Sequence, residues 1–371
     1  MEKLLRQSSI YDILQKAHCG ERLSFEDGAR LFKSNDILYI GHIANIIRER
    51  KNGNKAYYII NRHINYSNIC KNRCKFCAFS RDKEDAGSYE MGMEEILENA
   101  VAAVEEGATE LHIVGGLHPE LPFDFYVKMI SEIHERCPDV HIQAFTAVEI
   151  EHLSQIAKLS VCQTLKTLKD AGLGSLPGGG AEVFSPKIRE QLCPEKLSGE
   201  GWLQVMREAH KLGLRSNATM LYGHLETPED RVNHLVKLRA LQDETGGFMS
   251  FIPLAFHPRN TELSNHSSTT AMLDLKVIAI SRLMLDNFDH IKAFWIMLGI
   301  KLSQVSLSFG VDDIDGTVQE EKITHAAGAE TPEALSVHEI IRLIREAGRE
   351  PVERDTLYNH VTRKRVLVQT S

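Results

Sequence analysis

Apolar residues recur at helical spacing in the first fifty positions, where Ile40, Ile43, Ala44 and Ile47 share one face and Asn35 and Asp36 break that segment from the one before. This predicts an N-terminal helical cap over 1–52. From Ala56 the pattern changes to a β-rich run (YYIINRHINYS), and strand-like and helix-like segments then alternate. A helix over 93–106 carries Ile96, Leu97, Ala100, Val101 and Val104 on one face and stops at Gly107; strand 110–114 follows and ends in Gly115-Gly116. Helix 123–136, strand 140–145, helices 150–157 and 164–171 and a glycine-rich loop over 172–180 come next. Helix 201–212 leads to strand 215–222. Thr227, Pro228, Glu229 and Asp230 then open a helix, with a hydroxyl to cap, proline in the first turn and acids at the positive end of the dipole. Strand 248–254, helix 270–287, strand 291–295, a helix near 298–304 and strand 305–309 follow. A last helix over 337–347 is bracketed by a Ser336/Glu339 capping box and Gly348.

About eight strand–helix alternations are the signature of an α/β fold closed as a (β/α)8 barrel of the TIM type. An open doubly wound sheet with a helical appendix is the other architecture that fits. The barrel is expected over 53–325, with a C-terminal helical extension over 326–371 packed on it. Composition bears on function more than on fold: 371 residues, 43% hydrophobic and 25% charged, exclude disordered and low-complexity classes. Lys plus Arg number 43 against 51 Asp plus Glu, a formal charge of -8 that speaks against nucleic acid as a partner. No apolar stretch approaches the roughly 18 residues of a membrane span, and the charged N-terminus lacks a signal-peptide core, so no membrane partner and a cytoplasmic location are expected.

Seven cysteines, an odd number with Cys70, Cys74 and Cys77 inside eight residues, point to a metal site rather than to a disulfide framework. No fourth cysteine follows before Cys137. A structural zinc wants four closed protein ligands, so it would need a residue such as His63 to complete the set. Closely spaced thiolates also suit an iron–sulfur cluster, and three of them on a cubane leave one iron without a protein ligand.

The spacing Cys-x3-Cys-x2-Cys, with Phe76 before the last cysteine, resembles the radical S-adenosylmethionine (SAM) superfamily. That resemblance implies a barrel of the radical SAM type holding a 4Fe-4S cluster on Cys70, Cys74 and Cys77. It further implies that the open iron is chelated by the amino and carboxylate groups of SAM and that an electron from the cluster releases a 5'-deoxyadenosyl radical. Gly115 and Gly116 stand where the superfamily carries a Gly-Gly-Glu-like segment that receives the SAM amino group, with Leu117 in place of the acid. Glu182 and Arg189 resemble an acid and an arginine used for SAM's ribose or amino group and for its carboxylate. Glu149, Asn217 and Thr219 are further cofactor candidates at the barrel mouth.

Three longer stretches narrow the resemblance: Asn65 to Cys70 with Cys77-Ala78-Phe79, Leu176 to Glu182, and Leu307 to Thr317. Together they resemble the subgroup of futalosine-pathway enzymes of menaquinone biosynthesis and deazaflavin-cofactor synthases. The Asp312-Asp313-Ile314-Asp315-Gly316-Thr317 form, with Glu320 to Lys322 and Glu353 to Tyr358, is most similar to the aminodeoxyfutalosine synthases. That resemblance implies SAM as a co-substrate, an electron donor such as flavodoxin or ferredoxin, and a small dicarboxylate enol ether, 3-(1-carboxyvinyloxy)benzoate, as acceptor. His63, His257, Arg259 and Arg282, with Arg62 beside them, are the basic candidates for its carboxylates. Asp312, Asp313 and Asp315 would repel carboxylates and are expected on ribose hydroxyls, protonated groups or turn amides, with His63 among the catalytic candidates.

Overall fold

A computed structural model describes residues 6–363. Helices α1 (Tyr11–Cys19), α2 (Phe25–Lys33) and α3 (Ile37–Asn52) come first. Ser24 accepts from the Asp27 amide and Asp27 reaches back to the Ser24 amide, a reciprocal cap that starts α2. The face of α3 carrying Ile40, Ile43 and Ala44 is buried.

Strands β1 (Lys55–Ile59) and β2 (Asn61–Ile64) follow, then α4 (Met93–Glu105), β3 (Glu110–Ile113), α5 (Phe123–Arg136), β4 (His141–Ala144), α6 (Ala147–Ala157), α7 (Val161–Asp170) and β5 (Ser175–Leu176). The chain continues through α8 (Pro186–Leu192), α9 (Gly199–Lys211), β6 (Arg215–Tyr222), α10 (Pro228–Thr245), β7 (Phe248–Ala255), α11 (Ala271–Met284) and β8 (His290–Ile291). It ends with α12 (Trp295–Leu298), α13 (Ile300–Ser306), β9 (Asp313–Gly316), α14 (Ile323–Ala326), α15 (Val337–Glu346) and β10 (Glu350–Glu353). Strands β2 to β8 form one seven-stranded parallel sheet in chain order, curled into a TIM-like α/β barrel. The gap between its outer strands is spanned by residues 312–319. The Asp312 amide donates to Ile291 O at 3.1 Å, the Ala293 amide to Asp313 O at 2.8 Å, and the His63 amide to Gln319 O at 2.9 Å. A second parallel sheet, in the order β10-β1-β9, shares β9 with this seam.

Several local expectations change. Residues 305–309 form no strand: they finish α13 and a turn, with the Phe309 amide donating to Ser306 O at 2.8 Å, and the strand comes at Asp313–Gly316. The Val-Ser-Leu-Ser-Phe alternation imitates the β period, whereas an acidic run is a poor strand former unless its charges are answered. The expected strand over 291–295 is cut short at Ile291, because Trp295 opens α12 and donates its indole N–H to Gly316 O at 2.9 Å. Ser336 caps α15 by accepting from the Glu339 amide at 3.2 Å, but Glu339 turns its carboxylate to Arg342, so only half of the capping box forms; α15 is followed by β10, a strand not expected there.

Arg282 and Asp312 are fully buried and paired with each other. The guanidinium also donates to Gly310 O at 2.8 Å and Asp289 O at 3.1 Å, and Asp312 accepts from the Ile291 amide at 2.8 Å and from His290 at 2.6 Å. Burial opposes ionisation of Asp312, yet the charges of His290 and Arg282 hold its carboxyl below the ordinary range. Arg282→Met is therefore expected to destabilise the protein by about 3–5 kcal/mol in denaturant titrations, because one buried charge loses its main partner.

Candidate active site at the barrel mouth

One cavity of about 330 Å³ runs into the barrel from the C-terminal ends of its strands. At its rim lies the loop after β2, where Cys70, Cys74 and Cys77 all line the space. Their loop is held on several sides: the Cys70 amide donates to Arg81 O at 3.1 Å, Lys71 N to Leu117 O at 3.0 Å, Lys75 N to Leu192 O at 2.9 Å and Cys77 N to Cys74 O at 2.9 Å. Arg81 ties its far end through Ala78 O and Ser80 O at 2.9 and 2.8 Å.

Burial pushes the Cys70 thiol pKa up, and the nearby Cys74 and Cys77 add to the shift. Cys74 is raised by its contact with the Cys193 thiol and by burial. Cys193, at the end of α8, is buried behind Cys74 and does not line the cavity. Without a metal, then, Cys70 and Cys74 stay protonated, and binding of a soft metal centre would displace their protons. His63, which a closed zinc site would recruit, stacks instead on His112 with ring centroids 4.4 Å apart and planes 13° apart. Among the described residues no three His, Cys, Asp or Glu side chains converge as a single ion would require. Three soft donors from one loop beside an open cavity fit a cubane held at three corners.

The glycine pair after β3 lies against the root of that loop. A Cβ on Gly116 would stand 2.2 Å from Ile69 O and 3.0 Å from Cys70 Cβ, and one on Gly115 would stand 2.6 Å from the Tyr66 ring. The missing side chains thus serve close packing of strand end on cysteine loop. Glu149 fixes this turn: one oxygen accepts from the Gly115 amide at 3.0 Å and the Tyr66 hydroxyl at 2.9 Å, the other from the Thr146 amide and hydroxyl at 2.8 Å each. Burial raises its pKa. With four bonds from the protein, its carboxylate is saturated, so Glu149 is a positioning residue.

Glu182 adopts φ 46° and accepts from Lys196 Nζ at 2.7 Å, which holds its carboxyl low despite burial. Lys196 also lies over the Phe76 ring at 5.2 Å, so acid, lysine and aromatic join the 182–196 segment to the cysteine loop. Arg189, expected to fork onto SAM's carboxylate, does not line the cavity: it donates to Ala181 O at 2.8 Å and to Leu197 O, locking the backbone around Glu182. Asn217 and Thr219 do face the cavity. Asn217 bridges Gln143 at 3.3 Å and Ser250 at 2.8 Å, and Thr219 donates to Gly178 O at 2.7 Å.

Of the basic candidates, His63 and His257 line the cavity, with His257 Nε2 2.9 Å from Met297 O. Arg259 lies on the surface paired with Glu330, Arg62 pairs with Glu320, and Arg282 is sealed in its pair with Asp312; none of the three reaches the cavity. Asp312 is closed in by Arg282 and His290, and Asp313 by Arg354 at 2.6 Å and the Tyr358 hydroxyl at 2.7 Å. Only Asp315 of that acidic set lines the space, 3.3 Å from Lys292 Nζ. Lys292, Lys196, Glu110 and His112 also line the cavity and are not among the candidates that the sequence offers. Glu110 and His112 had a signal: polar residues at alternate positions of a barrel strand, where aliphatic side chains normally fill the interior.

Comparisons with known proteins agree with this architecture. The chain matches the family model of the Radical SAM superfamily over residues 64–238 and that described as the CofH/MqnC C-terminal region over residues 245–366. It is 46% identical over 361 residues to the aminodeoxyfutalosine synthase of Thermus thermophilus, covering 96% of this chain and 97% of the relative. It is also 42% identical to a 5-amino-6-(D-ribitylamino)uracil–L-tyrosine 4-hydroxyphenyl transferase of Methanopyrus kandleri, covering 83% of this chain and 85% of the relative. Among solved structures, methylornithine synthase superposes with a TM-score of 0.75 over 91% of this chain and 96% of its own, at 19% identity, which speaks for the fold alone. With its cysteine triplet at the mouth of such a barrel, the chain belongs to the radical SAM superfamily, in the group that includes the aminodeoxyfutalosine synthases.

Proposed function

We propose that this enzyme adds the 5'-deoxyadenosyl group of SAM to 3-(1-carboxyvinyloxy)benzoate, with rearrangement of the adduct and loss of a carboxyl group as bicarbonate or CO2, to form 6-amino-6-deoxyfutalosine for menaquinone biosynthesis. The observation that carries this reading is one continuous cavity with three thiols at its rim, Glu182 on its wall, and Lys292 on its floor beside Asp315 and Glu110. Such a space gives SAM a place beside the thiols and leaves a polar chamber below for a small anionic acceptor. The identity to the Thermus thermophilus synthase, extending over nearly both chains, supports the same reaction.

A radical SAM transferase works with a 4Fe-4S cluster and SAM, and here Cys70, Cys74 and Cys77 would hold the cluster, which supplies the electron that cleaves SAM. The chain's own part is positioning and exclusion. Glu149 sets the Gly115 turn against the cysteine loop. Glu182 spends one oxygen on Lys196 and keeps the other for SAM's hydroxyl or ammonium donors. Apolar wall residues such as Val114, Leu254 and Phe294 keep water and stray hydrogen donors from a reactive carbon. A flavodoxin or ferredoxin as donor and the cytoplasm as compartment complete the reading; no helix of the described residues is long and apolar enough to cross a membrane.

The test is product analysis of the reconstituted, reduced holoenzyme with SAM and the enol ether. SAM should be consumed with release of methionine and formation of the adenosylated product, without 5'-deoxyadenosine as the main product. Accumulation of 5'-deoxyadenosine, or turnover of tyrosine with 5-amino-6-(D-ribitylamino)uracil instead of the enol ether, would overturn it.

A further inference from the structure

Among the described residues two lysines, and no arginine, line the cavity, at opposite depths. Lys196 sits at the rim and is spent on Glu182 and the Phe76 ring. Lys292 follows β8 on the floor, buried, facing Asp315, the stacked pair His63 and His112, and Glu110. An ammonium has three donors, but among the described residues the one hydrogen bond of the Lys292 ammonium runs to Asp315 at 3.3 Å, longer than the roughly 2.7–2.9 Å of a charge-assisted contact. Asp315 is held in place by its left-handed backbone (φ 65°) and by its amide donating to Asp313 at 2.7 Å, and burial pushes its carboxyl pKa up against the pull of Lys292. Burial keeps both imidazoles neutral, and Glu110, which accepts from Asn61 at 3.3 Å, is held low against burial by the charge of Lys292. The floor therefore holds an ammonium that faces two carboxylates yet makes one long hydrogen bond, and its spare donors border the cavity, where an acceptor on a ligand would complete them.

We propose that Lys292 anchors the ring carboxylate of the acceptor, the one farthest from the reacting double bond. This rests on the reading given under Proposed function. The alkene must lie beside SAM at the rim. From His112 on the floor to Gly115 at the rim is three residues of extended chain, about 10 Å, a span that a substituted benzoate fills from end to end. The ring carboxylate then meets Lys292, and the carboxylate next to the alkene stays near the rim.

The experiment compares two acceptors, the diacid and the phenyl enolpyruvyl ether that lacks the ring carboxylate, on anaerobic holoenzyme. Lys292→Met combined with Asp315→Asn removes both charges, so that neither stays buried alone. It should raise KM for the diacid about 10- to 100-fold, the worth of one charged hydrogen bond, while KM for the phenyl ether and for SAM stays as in the wild type. Lys292→Arg should recover part of the loss. Should the double variant not hold its cluster, Lys292→Gln carries the same comparison. An unchanged KM for the diacid, or equal losses for both acceptors, overturns the anchor while the reaction stands. A wild-type enzyme that does not convert the diacid overturns the functional reading and the anchor with it.

Discussion

Cys74→Ala should yield a folded protein whose iron and sulfide after reconstitution fall to background and whose turnover of SAM is abolished; Cys70→Ala and Cys77→Ala should behave alike. The reason is coordination: two thiolates on one loop cannot hold a cubane against solvent and chelators, and a cluster without its third corner is lost rather than weakened. Among the described residues none stands ready as a substitute: His63 is stacked on His112 and Cys193 lies behind Cys74, outside the cavity. Cys19 and Cys162 are exposed and remote, and their alanine variants should match the wild type in metal content. Cys193→Ser is the sharper control, because its thiol touches Cys74: retention of iron and sulfide leaves three ligands, whereas their loss would make Cys193 a fourth. Retention of the cluster in Cys74→Ala would refute the assignment outright.

The second large effect is expected from one methyl group. Gly116→Ala places a Cβ 2.2 Å from Ile69 O, a backbone atom with no rotamer to escape through. Either the end of β3 or the root of the cysteine loop must move, and overpacking of this kind costs typically about 1–3 kcal/mol. The displaced loop carries Cys70, so cluster content and SAM affinity should fall together, the latter by at least about 10-fold. Gly92→Ala is the comparison: nothing lies within 4 Å of the added carbon, and SAM affinity should not change. If Gly116→Ala binds SAM as tightly as the wild type, the close approach is incidental to the site.

Much of the site is legible in the amino-acid sequence. The cysteine spacing carries its own chemistry because thiolates on one short loop must be neighbours however the rest folds. Helix periodicity placed most helices, since amphipathic faces must be buried, and the Thr227/Asp230 start formed as a full capping box. Local pattern failed where it was ambiguous: Val305 to Phe309 alternates like a strand and is the end of a helix.

The fate of the charges was not legible. Arg282, Arg259 and Arg189 look equivalent in the sequence, yet one is sealed against Asp312, one lies on the surface against Glu330, and one braces the backbone beside Glu182. Each outcome depends on partners that the chain brings together only after curling its sheet, Asp312 being 30 residues from Arg282 and Arg354 being 41 residues from Asp313. The amino-acid order alone determined the cysteine loop, the α/β alternation and the caps of several helices, because these depend on neighbours within a few residues. Tertiary structure alone decided which acids are neutralised and which cation faces the chamber, because a strand's two faces acquire an inside and an outside only once the barrel curves around them.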